Sequence, residues 1–569
     1  MRNPLISFLA ITGFFLYGMT PNHHDQAAPN RHNLADPNHH DPFSSVHTSA
    51  GLISGATSAD GAVHIFKGIP FAAPPIGPNR WRAPQPLTPW KGVRKCDSFG
   101  PSPMQPAPKP FGAYTSEFLI PEKPISEDCL YLNVWTAATA PKEKRPVLVY
   151  IYGGGFVSGG SACPIYDGTA IARKGVVFVT INYRVGIFGF FAHPGLTAES
   201  GHHASGNYGL MDQIAALQWV KGNIAAFGGD PSNMTIAGQS AGSMSVSCLV
   251  ASPLAKGLFK RAIGESGASI LTTPYIKTPT LQQAEQEGLK VASKLNLTDT
   301  TDLPALRAIP ADRLLQVNTQ YSPIVDGYVL PESPGALFRQ HRYNVCDLLT
   351  GWTEDDWFLF SGPLTAIQFR AELAKQFGPK ADSAQIFYPA TDDATALNSL
   401  KHYTRDVLMA IQNYTWANLQ SDGSGDPGIG AGPGMEGYPS GAVYVYRFRR
   451  RPPATGDFVQ YGAFHTAEVP YAYDNLAFVN RPWESVDHQL AETMSSYWAN
   501  FARTGDPNNP GKPNNSGDPG GPGLPVWPRY DHNPAMSVMI LDEHPHSAPL
   551  PDKAALDFIL RNSISPMQP

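Results

Sequence analysis

The chain has 569 residues, 42% of them hydrophobic and only 16% charged, with a formal net charge of −5 from 47 acidic and 42 basic side chains. It is too apolar for a disordered chain and long enough to bury one large core. The small acidic excess removes any electrostatic case for nucleic-acid binding.

A lone arginine at position 2 precedes an apolar stretch over residues 5–19, broken only by Ser7, Thr12 and Gly13. About fifteen such residues are short for a membrane span and fit the h-region of a signal peptide. Residues 1–22 are therefore expected to direct the protein out of the cytoplasm, to a secreted or periplasmic location, with retention as an N-terminal anchor the alternative. No other segment is apolar and long enough to span a bilayer. Residues 23–49 are polar and read as a disordered lead-in. Their pairs His23-His24 and His39-His40 have no organised acidic or cysteine partners, so no metal site is expected there. A single folded domain is expected over residues 50–569.

Within that domain, Pro146-Val147-Leu148-Val149-Tyr150-Ile151 reads as a buried strand and runs into Gly153-Gly154-Gly155. Val176 to Ile181 reads as a second buried strand. Residues 211–227 place Ile214, Leu217, Val220, Ile224 and Phe227 at helical spacing. A further strand, Met234 to Ala237, leads into Gly238-Gln239-Ser240-Ala241-Gly242 and then a small-residue helix from Ser243 to Leu249. Such alternation gives an α/β fold: a large, mostly parallel twisted sheet with helices on both faces. Arg449-Arg450-Arg451, inside the densest basic patch, reads as a solvated strand end. Residues 421–441 and 506–525 are rich in glycine and proline, and read as surface insertions.

Strand, G-x-S-x-G and helix in that order form a nucleophile elbow. The serine is held in a strained conformation with its Oγ above the sheet edge, which makes Ser240 the candidate nucleophile. Acyl transfer also needs N–H donors aimed at the oxygen that becomes negative, and glycines let backbone approach a substrate closely. The N–H groups of Gly154, Gly155 and Ala241 are assigned that task. A serine hydroxyl further requires a histidine base and a carboxylate that orients it, but spacing alone does not choose among 17 histidines.

Ordered motifs along most of the chain resemble the type B carboxylesterases, the cholinesterase-like branch of the α/β-hydrolases. They include Phe66-Lys67-Gly68-Ile69-Pro70-Phe71, Ser126-Glu127-Asp128-Cys129-Leu130-Tyr131-Leu132-Asn133, Asn182-Tyr183-Arg184-Val185-Gly186, Gly206-Asn207-Tyr208-Gly209-Leu210-Met211-Asp212-Gln213 and Phe501-Ala502-Arg503-Thr504-Gly505. The resemblance implies that Gly462-Ala463-Phe464-His465 is the histidine loop, with His465 the base. Asp356 falls on the acid position, with Asp355 and Glu354 as fallbacks. The resulting order, Ser240, Asp356, His465, is that of the α/β-hydrolases.

It further implies that Ser266 supports the acid, that Cys96 and Cys129 form a disulfide, and that no cofactor takes part. Gln239 stands beside the nucleophile where cholinesterases carry glutamate, and Leu119 takes the place of their loop tryptophan, which argues against choline selectivity. Phe111, Tyr114 and Phe118 read either as an apolar mouth or as loop anchors. The expected function is hydrolysis of small to medium apolar carboxylic esters through an acyl-enzyme. The alternatives are a catalytically silent binding or adhesion domain, and an esterase for one natural ester.

Overall fold

The computed structural model describes residues 42–563 except 274–275, 298–301, 318, 358–363, 422–439, 510–522 and 532–535. The expected signal segment, nearly all of the lead-in and most of both insertions lie outside the described residues. The fold itself begins before position 50. Phe43 and Val46 are buried, and Val46–Thr48 pairs antiparallel with Gly51–Ser54, because these apolar side chains complete the core beneath the first hairpin.

An eleven-stranded sheet forms the centre. Its strands in chain order are β1 Ala56–Thr57, β2 His64–Pro70, β3 Tyr131–Thr136, β4 Arg145–Ile151, β5 Val177–Ile181, β6 Gly229–Gln239, β7 Arg261–Glu265, β8 Asp347–Thr353, β9 Val443–Phe448, β10 Ser537–Leu541 and β11 His546–Pro549. In space they run β11-β10-β9-β8-β7-β6-β4-β5-β3-β2-β1. From β10 across to β5 every neighbouring pair is parallel, while β1, β2, β3 and β11 join antiparallel. Strands β4, β5 and β9 are buried at every residue. Continuous burial, rather than alternation, is what a parallel strand covered on both faces requires.

The helices that bear on the site are α1 Tyr208–Asn223, α2 Ala241–Ala251 and α3 Ser485–Thr504. The periodic stretch over 211–227 is α1 followed by a 3₁₀ turn at Ile224–Phe227, and α1 starts three residues before the pattern does. In α1, Asp212 accepts from Arg184 through both oxygens, at 2.7 and 2.8 Å, which neutralises a fully enclosed carboxylate.

Two expectations are corrected. Cys96 and Cys129 do not form a disulfide; all five cysteines are free and buried. Burial pushes the Cys96 thiol up to about 11 and the Cys129 thiol well above its ordinary value. The basic patch, in turn, is not a solvated strand end throughout. Arg447 is fully buried, pairing with Asp552 at 2.8 Å and Glu354 at 3.2 Å, and Arg450 meets Asp487 at 2.8 Å. Apolar neighbours on β9 carry these arginines into the interior, where acidic partners offset their desolvation.

Asp552 also accepts from Arg405 at 2.9 Å, tying the C-terminal segment to the end of the helix Asp393–Arg405. Burial alone would raise the Asp552 carboxyl, but Arg447 and Arg405 outweigh it and hold the group at about 2. A carboxyl lowered on folding stabilises fully above its unfolded value, and that contribution is lost as pH falls through about 2. Asp552→Asn is expected to cost about 3 kcal/mol at neutral pH. It should also lessen the loss of stability between about pH 4 and about pH 2, read as urea midpoints against pH.

Candidate active site

Ser240 stands where β6 passes into α2, with φ 60° and ψ −126°. Two glycines permit that turn. A Cβ on Gly242 would lie 2.0 Å from the Ile151 carbonyl oxygen, and one on Gly238 would lie 2.5 Å from the Gly242 carbonyl carbon. The turn is held from β7 by the Ser240 N–H donating to the Glu265 carbonyl at 2.9 Å. Ser240 remains half-buried at the carboxyl end of the parallel strands, where open α/β sheets bind ligands. The Ala241 N–H belongs to the first turn of α2, whose dipole favours negative charge.

The glycine run leaves β4 alongside this turn. A Cβ on Gly153 would lie 2.9 Å from the Ser240 Cβ, so the two loops are in contact. Gly154 and Gly155 are exposed and take φ 109° and 63°, a backbone that side-chain-bearing residues rarely adopt. The expected donors and the expected nucleophile thus occupy neighbouring turns.

His465 and Asp356 come together from strands β8 and β9 and the loops that follow them. His465 Nδ1 lies 2.5 Å from Asp356 Oδ1, with both side chains buried. Asp356 Oδ2 accepts from the Thr353 N–H at 3.4 Å. The two fallback carboxylates have other tasks. Asp355 accepts from the Ala463 N–H at 2.8 Å, and Gly462, at φ 56°, leaves room for that carboxylate. Glu354 pairs with Arg405, Arg447 and Arg449. The aspartate's shorter reach is accommodated because Asp355 pins the histidine loop directly against the acid turn.

Gln239 is buried with its amide Nε2 3.1 Å from His465 Nε2. Ser266, at φ 48°, donates its hydroxyl to Glu468 Oε1 at 3.3 Å and its N–H to the Gly351 carbonyl at 2.9 Å. Two contributing residues, Glu265 and Glu468, carry no role in the sequence reading, and Tyr114, read there as mouth or anchor, takes a defined place. Tyr114 donates its hydroxyl to the His465 carbonyl at 2.8 Å, and its ring meets Phe464 edge-on at 5.9 Å. Tyr114 and Phe118 are therefore loop anchors, while Phe111, stacked on Tyr114, is 60% exposed. Glu265 and Glu468 are fully buried. Glu265 had a legible signal, a carboxylate at the carboxyl end of the strand beside the nucleophile strand, separated from Arg261 by Ala262, Ile263 and Gly264.

Among the described residues no group of three or more histidine, cysteine or acidic side chains is placed to hold a metal, and no helix is long and apolar enough to cross a membrane. A cavity of about 330 Å³ lined by Trp81, Leu196, His202, Tyr208 and Tyr328 includes none of Ser240, Asp356 and His465 in its wall.

Residues 42–558 match the carboxylesterase family. The chain is 35% identical to the fumonisin B1 esterase of Sphingopyxis macrogoltabida, over 86% of this chain and 85% of that protein. It is 34% identical to the para-nitrobenzyl esterase of Bacillus subtilis, over 87% and 94% of the two chains. A solved para-nitrobenzyl esterase structure superposes with a TM-score of 0.72 at 32% identity, covering 91% of this chain and 99% of that one. A Geobacillus stearothermophilus carboxylesterase gives 0.72 at 32%, covering 90% and 99%. The α/β-hydrolase architecture, the serine elbow and the extent of these matches lead to one conclusion: the chain belongs to the carboxylesterase family and is a carboxylic ester hydrolase.

Proposed function

We propose that Ser240, His465 and Asp356 carry the hydrolysis, the carrying observation being the 2.5 Å contact between His465 Nδ1 and Asp356 Oδ1 beside the elbow. Ser240 Oγ attacks the ester carbonyl carbon as His465 Nε2 takes its proton. The oxyanion is held by the N–H groups of Gly154, Gly155 and Ala241. Collapse breaks the bond to the alkoxy group, and His465 returns the proton to the departing alcohol. Water, deprotonated by His465, then attacks the acyl-enzyme and releases the acid. Asp356 keeps the imidazole oriented and balances its transient positive charge.

Small to medium apolar esters are the proposed substrates. Support comes from the exposed Phe111 ring stacked on Tyr114 beside the histidine loop, and from the neutral Gln239 beside the base, which offers a cation no charge. Relatives named for fumonisin B1 and for para-nitrobenzyl esters indicate that this scaffold serves dissimilar alcohols. The test is the initial rate on p-nitrophenyl butyrate by the full chain. Rapid turnover supports the reading, and a negligible rate from well-folded protein refutes it.

Gln239→Glu probes the electrostatics of the base. A carboxylate about 3 Å from His465 Nε2 favours the imidazolium and raises the histidine pKa. The acidic limb of kcat/KM against pH should move upward by about one unit; an unmoved limb would mean that this side chain does not face the base in solution.

Export to a secreted or periplasmic location is likewise our proposal, supported by the apolar stretch over residues 5–19 behind Arg2. Cell fractionation with N-terminal sequencing of the mature protein tests it; an intact N-terminus in the cytoplasm overturns it.

A further inference from the structure

Directly behind the His465–Asp356 pair lies a buried group of carboxyls and phenols that the hydrolytic steps do not use. Glu265 Oε1 accepts from Trp498 Nε1 of α3 at 2.7 Å and from the Tyr473 hydroxyl at 3.1 Å. Glu468 Oε1 accepts from Ser266 at 3.3 Å. The second oxygen of each carboxyl has no hydrogen-bond partner among the described residues, and neither do the hydroxyls of Tyr150 on β4 and Tyr446 on β9. Each of these four side chains is at most 1% exposed.

Two ionised carboxylates cannot be kept in such a place. An unsatisfied buried anion is among the most costly groups a fold can contain, and a neighbour of like charge adds to that cost. The groups bearing on the pair come from every side: Tyr150 from β4, Tyr446 from β9, Tyr473 from the segment after the histidine loop, Trp498 from α3, and Asp356 from the acid turn. None of them is a cation. Neither glutamate makes an ion pair with lysine or arginine among the described residues.

We propose that Glu265 and Glu468 are positioning residues that stay protonated at neutral pH as a buried acid pair, leaving Asp356 the only anion that acts on His465. The proposal rests on the assignment of His465 and Asp356 as base and acid. Burial pushes Glu265 up to about 8, and burial together with the charges of Glu265 and Asp356 pushes Glu468 well above its ordinary value. With neutral Gln239 in contact with the other ring nitrogen, every side chain named around the imidazole except Asp356 is uncharged. A single adjacent anion favours the imidazolium enough to assist proton transfer, while a cluster of anions would hold His465 protonated and idle as a base.

The primary test is difference infrared spectroscopy on protein carrying ¹³C-labelled glutamate, which leaves the buried aspartates silent. A protonated-carboxyl carbonyl band should persist at neutral pH, lose the Glu265 contribution on titration through about pH 8, and weaken in Glu265→Gln and in Glu468→Gln. Stability supplies the second readout. A carboxyl raised on folding destabilises increasingly as pH rises from its unfolded value of 4.5 towards about 8. The urea midpoint of Glu265→Gln relative to the parent should therefore climb across that window and level off above it; a purely structural role would give a pH-independent difference.

The acidic limb of kcat/KM separates the charge states. Removing a neutral carboxyl leaves it in place, whereas removing an anion lowers the His465 pKa and moves the limb to lower pH. Absence of the band at neutral pH, or such a downward shift in Glu468→Gln, overturns the proposal. The band on the parent protein needs neither a folded variant nor ester turnover, so its loss is distinguishable from a failure of the triad assignment.

Discussion

Ser240→Ala is expected to lower kcat on p-nitrophenyl butyrate by about 10⁴-fold or more, with the thermal midpoint close to that of the parent. The loss is large because no other hydroxyl shares the position that the elbow imposes on Ser240, where φ is 60° and the flanking glycines are packed against Ile151. Alanine tolerates that backbone no worse than serine does, so folding is preserved and the defect is chemical. The proposed oxyanion donors survive in the variant, since the N–H groups of Gly154, Gly155 and Ala241 belong to the main chain, and they should leave a residual rate above that of water. A variant retaining a tenth or more of the parent rate would mean that another group is the nucleophile.

Asp356→Asn is expected to cost about 10⁴-fold in kcat with little change in KM. Asparagine fits the same space, but it can present an N–H where a carboxylate oxygen should accept from Nδ1–H. The imidazole then loses its productive tautomer and the charge that balances the imidazolium. The adjacent Asp355→Asn is the control. Asp355 fixes the loop by accepting from the Ala463 N–H and pairing with Arg451 at 3.3 Å, without touching the imidazole. Its loss should therefore be much smaller in kcat and visible chiefly in stability. Comparable rate losses from the two variants would remove the distinction between acid and loop anchor. Steady-state kinetics on both, with urea denaturation alongside, decides the matter.

The parts of the site that were legible before the fold was known are those whose chemistry needs a local backbone. An elbow must have glycines on both sides of its serine, and an oxyanion loop must have residues without Cβ, so Gly238, Gly242, Gly154 and Gly155 stand out in one dimension. Strands β4 and β5 were visible because continuous apolar runs have few other uses, whereas only Met234 to Ala237 of β6 was read, since the strand opens on Gly229-Asp230-Pro231-Ser232-Asn233. The short strands β1 and β11 left no such trace, since two to four residues carry no period. Arg447 and Arg450 were misread for a related reason: a run of arginines looks solvated until the acids that meet it, from α3 and the C-terminal segment, are in place.

The sequence by itself determined the fold class and the glycine-flanked turn that holds Ser240, because backbone conformations that only glycine relieves, and burial that only apolar runs supply, are written in consecutive residues. Tertiary structure alone decided how three neighbouring carboxylates divide their work: Asp356 to the imidazole, Asp355 to the loop, and Glu354 to the arginines. It also left Cys96 and Cys129 as separate thiols, set Tyr114 against the His465 carbonyl, and enclosed Glu265 with Glu468 behind the acid. Charge state, hydrogen bonding and burial depend on groups hundreds of positions apart in the chain, and a side chain acquires those properties only when the sheet brings its neighbours to it.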